Sequence, residues 1–128
     1  MPASERATEL ALAAAQAAAD KLASDILLLD VSEQLVITDV FLLASAPSDR
    51  QVVAVVDNIE EQLRELGAKP LRREGEKEGR WVLLDFGDIV VHVQHQEERV
   101  FYALERLWKD CPVIPFVDAD LQRAAGRS

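Results

Sequence analysis

The chain has 128 residues, 23 of them acidic against 14 Lys and Arg, and a formal charge of −9. That length suits one domain burying about two-thirds of its unfolded surface without help from a metal. A single cysteine, Cys111, excludes an intrachain disulfide and favours a reducing compartment. The acid excess argues against direct DNA binding, which draws on basic surface to displace phosphate counterions. It favours ordinary solubility or a basic protein partner. The start, MPASERATEL, lacks a basic region followed by a long apolar run, and the alanine-rich stretch after it is broken by Gln16, Asp20 and Lys21. Neither a signal peptide nor a membrane helix is expected, and the cytoplasm is the expected location.

Glu5 to Ala23 predicts a first helix. Alanine is the best helix former, and Leu10, Ala14, Ala17, Ala18 and Leu22 fall on one stripe. Asp25 to Val31 is an apolar run between acids, a buried strand. Val36, Ile37 and Val40 to Ala44 form a second extended region, interrupted by Thr38-Asp39. Ser48 then caps a helix, with Gln51 three residues on as in a capping box. Val52, Val56, Ile59, Leu63 and Leu66 repeat at helical spacing, and Gly67 stops the helix.

Lys69 to Arg73 predicts a short, charged edge strand, and Glu74 to Arg80 a polar turn. Two apolar runs, Trp81 to Leu84 and Ile89 to Val93, flank Asp85-Phe86-Gly87-Asp88. This reads as a hairpin with a two-residue loop in which Gly87 takes positive φ. Because both runs are apolar at nearly every position, both faces are expected to be covered. One helix should then carry Val100, Phe101, Leu104, Leu107 and Trp108, with Glu97 and Glu98 at its start and Lys109 at its end suiting its dipole. Pro112 and Pro115 break the pattern, and Ala119 to Ser128 reads as a frayed or disordered tail. The order of elements describes an α/β domain, a mixed β-sheet flanked by helices, with the helices after Ser48 and Gln96 covering it.

Chemistry is sparse. His92 and His95 have an HxxH spacing, but on a strand an odd separation points them to opposite faces; a hydrogen-bonded sheet histidine is the better reading, and no metal or cofactor is expected. Asp85-Phe86-Gly87 spells a kinase tripeptide without the glycine loop and catalytic loop of a kinase. Asp85 and Asp88 could serve as a magnesium-binding pair in phosphoryl transfer, yet the five glycines make no phosphate-cradling loop. Ser45 and Ser48 flank a strand-to-helix turn without a GxSxG pattern, and Cys111 lacks an activating partner. Trp81 begins its strand beside a charged turn, and an aromatic anchor within an acidic rim suits a protein interface.

The run WVLLDFGDIVVHV, followed by ERVFYALERLWKD, resembles the signature of the ribosomal silencing factor family, also called Iojap. Asp25 to Val31, Ile37 to Phe41, Ser48 to Val52 and Glu74-Gly75 match in the same order, so the resemblance spans about residues 5 to 110. The family often has glycine at the place of Ala46 and histidine at the place of Gln51. The resemblance implies a nucleotidyltransferase-like fold over residues 1–111; it does not reach 112–128, which the sequence pattern reads as a proline-containing, partly disordered extension. It implies no enzyme activity, binding to the fourteenth protein of the large ribosomal subunit, steric blocking of subunit joining and repression of translation, and frequent homodimers. Trp81, Leu83, Asp85, Asp88 and Tyr102, with Glu74 and Glu78 beside them, are the expected partner-binding residues. The alternative is a nucleotidyltransferase-like phosphoryl-transfer enzyme using Asp85 and Asp88.

Overall fold

The computed structural model describes residues 2–75 and 80–121, and of Phe101 and Tyr102 the backbone. Five strands form one sheet in the order β1-β2-β5-β4-β3: β1 (Ser24–Asp30), β2 (Val40–Ala46), β3 (Arg72–Glu74), β4 (Trp81–Asp85) and β5 (Ile89–His95). β2 and β5 run parallel at the centre, and every other pairing is antiparallel. The expected α/β class with a mixed sheet is the architecture observed.

Helices α1 (Glu5–Asp20) and α2 (Asp49–Glu65) pack side by side on one face of the sheet. Ser4 caps α1 by accepting from the Ala7 amide at 3.0 Å. Ala7, Ala11, Ala14, Ala15, Ala17 and Ala18 are buried, and their small side chains let α1 approach both the sheet and α2. Asn58 on α2 donates to the Ala17 carbonyl at 2.9 Å. Leu22 does not extend the stripe: α1 ends at Asp20, and Leu22 is 79% exposed at φ 63°.

In α2 the Ser48 hydroxyl accepts from the Gln51 amide at 3.1 Å. The Gln51 side chain does not complete a capping box. It donates instead to the Lys21 carbonyl at 3.1 Å, tying the start of α2 to the end of α1. Val52, Val56, Ile59 and Leu63 are fully buried, as their spacing predicts, while Leu66 is at the surface. Gly67 has φ 84°, its amide meets the Arg64 carbonyl, and the Ala68 amide meets that of Leu63. This is the Schellman closure, which favours glycine.

Strand alternation divides the sheet into two faces. Leu28, Val40, Leu42, Ala44, Val82, Leu84, Ile89, Val91 and Val93 join the core under the helices. On the opposite face, Leu29, Val31, Leu43 and Cys111 form a second, smaller cluster with Leu27, Leu35, Phe41, Leu104 and Trp108. That cover lies over β1 and β2. It does not extend to β4, where Trp81, Leu83 and Asp85 alternate with buried neighbours and remain partly exposed. The expectation that both faces of β4 are covered is therefore corrected. Only one is, because α1 and α2 share a face and the helix after Gln96 sits at the end of β5.

Other boundaries differ. Val36 and Ile37 are not part of the second strand but loop residues, 99% and 84% exposed. The single last helix is two: α3 (Gln96–Tyr102) and α4 (Leu104–Leu107), separated by Ala103 at φ 46°. Arg99 Nε crosses this break to Glu105 at 3.0 Å. Lys109 lies beyond α4. Residues 112–119 run back along the molecule. The Asp30 amide donates to Pro112, Ile114 donates to Leu28, and Val113 bridges Leu29, so the outer edge of β1 is paired. Gln16 bonds the Asp118 carboxylate and the Ala119 amide. Of the expected tail, residues 122–128 lie outside the described residues, as do 76–79 of the polar turn.

Candidate functional site

The hairpin organises the site. The Phe86 amide meets the Ile89 carbonyl at 2.9 Å, leaving Gly87 and Asp88 as a two-residue loop with Gly87 at φ 86°. A type II′ turn needs glycine at that first position. Asp85 Oδ1 accepts from the Gly87 amide at 2.8 Å, and Oδ2 lies 3.3 Å from Arg72. The Asp88 carbonyl receives the amides of Asp39 and Val40, fixing the hairpin to the start of β2; its side chain is exposed.

Period-two alternation puts Trp81, Leu83 and Asp85 on the open face of β4. Glu74 is paired in register with Leu83, and Arg72 with Asp85. Next to Glu74, Gly75 has φ 85°, and a Cβ there would stand 2.0 Å from the Trp81 carbonyl oxygen. Only glycine lets β3 leave the sheet so close to the β4 backbone. Glu74, Gly75, Trp81 and Leu83 thus line one shallow, open depression of about 340 Å³. Of the remaining expected residues, the Tyr102 side chain and Glu78 lie outside the described residues.

Arginines near this surface are shared among acids. Arg72 pairs with Glu74 and Asp85, and Arg73 with Asp57 at 2.9 Å and with Glu60. Arg80 contacts Glu97 and Glu98, each at 2.9 Å, and Asp49 at 3.8 Å. Hydrogen bonds to Glu98 and then Glu97 hold the Arg80 pKa above its usual value. Of these, Arg72 alone shares the open face, in register with Asp85 and matched by two carboxylates, so that face keeps a negative balance; Arg73, in register with buried Leu84, reaches α2 instead.

Residues outside the expected partner-binding set form the floor. His92, cross-strand from Leu83, is 8% exposed. Trp81 Nε1 donates to His92 Nδ1 at 3.2 Å. The His92 ring meets Phe41 edge-on with centroids 5.4 Å apart, and Phe41 meets Trp108 likewise at 5.1 Å. Burial pushes the His92 pKa down to about 4, so its ring is neutral at pH 7. The sequence reading placed His92 as a hydrogen-bonded sheet histidine; its role beneath Trp81 is visible only in the register of β4 on β5. His95, at the end of β5, accepts from the Glu97 amide at 3.1 Å and caps α3. Ser45 is buried and bonds Ser24, while Ser48 is the α2 cap. Burial, then the charges of Asp110 and Asp30, push the Cys111 thiol pKa up, which disfavours the reactive thiolate.

No helix among the described residues is long and apolar enough to cross a membrane. The arrangement offers a partly exposed aromatic, a leucine beside it and an acidic rim, the chemistry of a protein-binding surface.

The family model described as "Ribosomal silencing factor during starvation" matches residues 4–128. A Bacillus subtilis protein named ribosomal silencing factor RsfS is 47% identical over 100 residues, covering 78% of this chain and 85% of that protein. A more distant mouse relative, named mitochondrial assembly of ribosomal large subunit protein 1, is 32% identical over 89 residues, 67% of this chain and 39% of that protein. A crystal structure of a Chromobacterium violaceum protein superposes with a TM-score of 0.77 at 35% identity, over 80% of this chain and 85% of the other. The family match therefore includes the residues after Pro112, of which 113–119 pack against α1 and β1, and the fold agrees with its structural neighbour. The chain belongs to the ribosomal silencing factor family.

Proposed function

We propose that this protein represses translation without catalysis, by binding the large ribosomal subunit through its fourteenth protein and sterically blocking the small subunit. The carrying observation is the open face of β4: Trp81 and Leu83 partly exposed beside Glu74, Asp85 and Asp88, in a chain of the silencing-factor family. Trp81 is the apolar anchor, and the acids complement a basic partner and speed its encounter. Tyr102 and Glu78 complete the proposed set of partner-binding residues. The name of the mouse relative supports the large subunit as the target. The action is cytoplasmic, and a homodimer through the same face would compete with it.

The test is a sucrose-gradient assay of subunit joining with purified subunits. Wild-type protein should co-sediment with the large subunit and lower the joined fraction. Trp81→Ala should weaken binding by about 1–2 kcal/mol, and Asp88→Lys should weaken it through repulsion from the basic partner. Both variants are first checked for native folding by circular dichroism. Folded variants that bind and inhibit at wild-type strength would show that the surface lies elsewhere.

A further inference from the structure

We propose that His92 is a positioning residue of the partner surface, its Nδ1 holding the Trp81 indole in the orientation that the partner meets. The inference rests on the reading of β4 as the binding face and adds a residue that does not itself reach the partner.

Trp81 is cross-strand from Gln94, and His92 is cross-strand from Leu83; the indole thus reaches diagonally along the open face. An indole N–H only donates, and a neutral imidazole has one donor and one acceptor nitrogen. The 3.2 Å contact from Trp81 Nε1 to His92 Nδ1 therefore requires His92 to carry its proton on Nε2. Protonation of Nδ1 would set two donors against each other.

The imidazole is itself fixed. Its ring stands edge-on to Phe41 at 74°, Phe41 stands edge-on to Trp108 at 82°, and the Trp81 ring is tilted 52° over His92. An aromatic row thus crosses β4, β5 and β2 to the segment after α4. Edge-to-face pairs of this kind are directional, so the row transmits the rigidity of the covered half of the face to its open half. A partly exposed tryptophan without such a support would lose rotamer freedom on binding, and that loss reduces affinity.

The substitutions separate this role from packing. His92→Leu keeps a side chain of similar size and removes the acceptor; His92→Asn offers an oxygen near the place of Nδ1. The chain has two tryptophans, so a ¹⁵N spectrum shows two indole N–H resonances, and Trp108→Phe assigns them. In His92→Leu the Trp81 indole proton should exchange with water about fivefold faster or more, as expected for a lost hydrogen bond. Affinity for purified large subunits should fall about 2- to 10-fold, the cost of immobilising one side chain. His92→Asn should restore both. If His92→Leu does not fold, His92→Phe, which also lacks an acceptor, takes its place.

Unchanged indole exchange in the acceptor-less variant would overturn the proposal. So would altered exchange with unchanged affinity, or an Asn variant that recovers the indole signal without recovering binding. If wild-type protein itself fails to bind large subunits, the functional reading fails, and with it the partner half of the proposal. The indole measurement then decides on its own whether His92 holds Trp81.

Discussion

Lowering the pH should destabilise this protein through His92 in a way that a substitution can isolate. The ring is buried among Trp81, Leu83, Leu43 and Phe41, and its folded pKa is about 4 against an ordinary 6.5. A depressed folded pKa means that the unfolded chain binds the proton more readily. The stabilisation is thus complete above pH 6.5 and lost as pH falls toward 4. Linkage gives about 1.4 kcal/mol lost at pH 5.5 and about 2.5 kcal/mol at pH 4.5. Urea unfolding of wild type and His92→Asn, measured at pH 7.5, 6.5, 5.5 and 4.5, reads this directly. Carboxylate titrations are common to both proteins and cancel in the difference. The wild-type curve should fall relative to the variant by those amounts, with the change confined to the window between 6.5 and 4. Parallel curves would refute the reasoning and show that the imidazole is as solvated in the folded state as in the unfolded chain.

Two further outcomes test the frame around the site. Leu63→Ala, at a fully buried position of α2, should cost about 2–5 kcal/mol in urea unfolding; an unchanged midpoint would mean that the stripe is misassigned. Gly75→Ala should cost about 1–3 kcal/mol, since the residue has φ 85° and a Cβ there would collide with the Trp81 carbonyl. Hydrogen exchange should localise the loss to β3 and the start of β4, and uniform exchange across the sheet would contradict it.

Periodicity and punctuation made much of this legible. The α2 stripe, its Ser48 cap and Gly67 stop, and the Gly87 hairpin were all readable from local sequence, because each depends on residues within one turn of chain. The shared face of Trp81, Leu83 and Asp85 was readable for the same reason. What failed depended on distant chain. The sequence of β4 cannot state that both long helices lie on one side, so both of its faces read as covered when only one is. Nor does Gln51 announce that Lys21 will offer it a carbonyl. Ala103 stands in a helical pattern without Gly or Pro, yet the chain turns there through a left-handed residue as Arg99 reaches Glu105. His92 needed the β4–β5 register before its partner could be named.

The parallel pairing at the sheet centre sets the order in which this chain can assemble. Val40 meets Ile89, about fifty residues later, whereas β4 and β5 are joined by a two-residue loop. The hairpin can close within microseconds once made, but β2 has no parallel neighbour until β5 has left the ribosome. At about 5–20 residues per second, the apolar edge of Val40–Ala46 waits roughly 2.5–10 s for its partner. During that interval β1 and α1 are its available cover. Substitutions that weaken the β1–β2 hairpin should therefore raise aggregation of nascent chains more than they lower the stability of the finished fold.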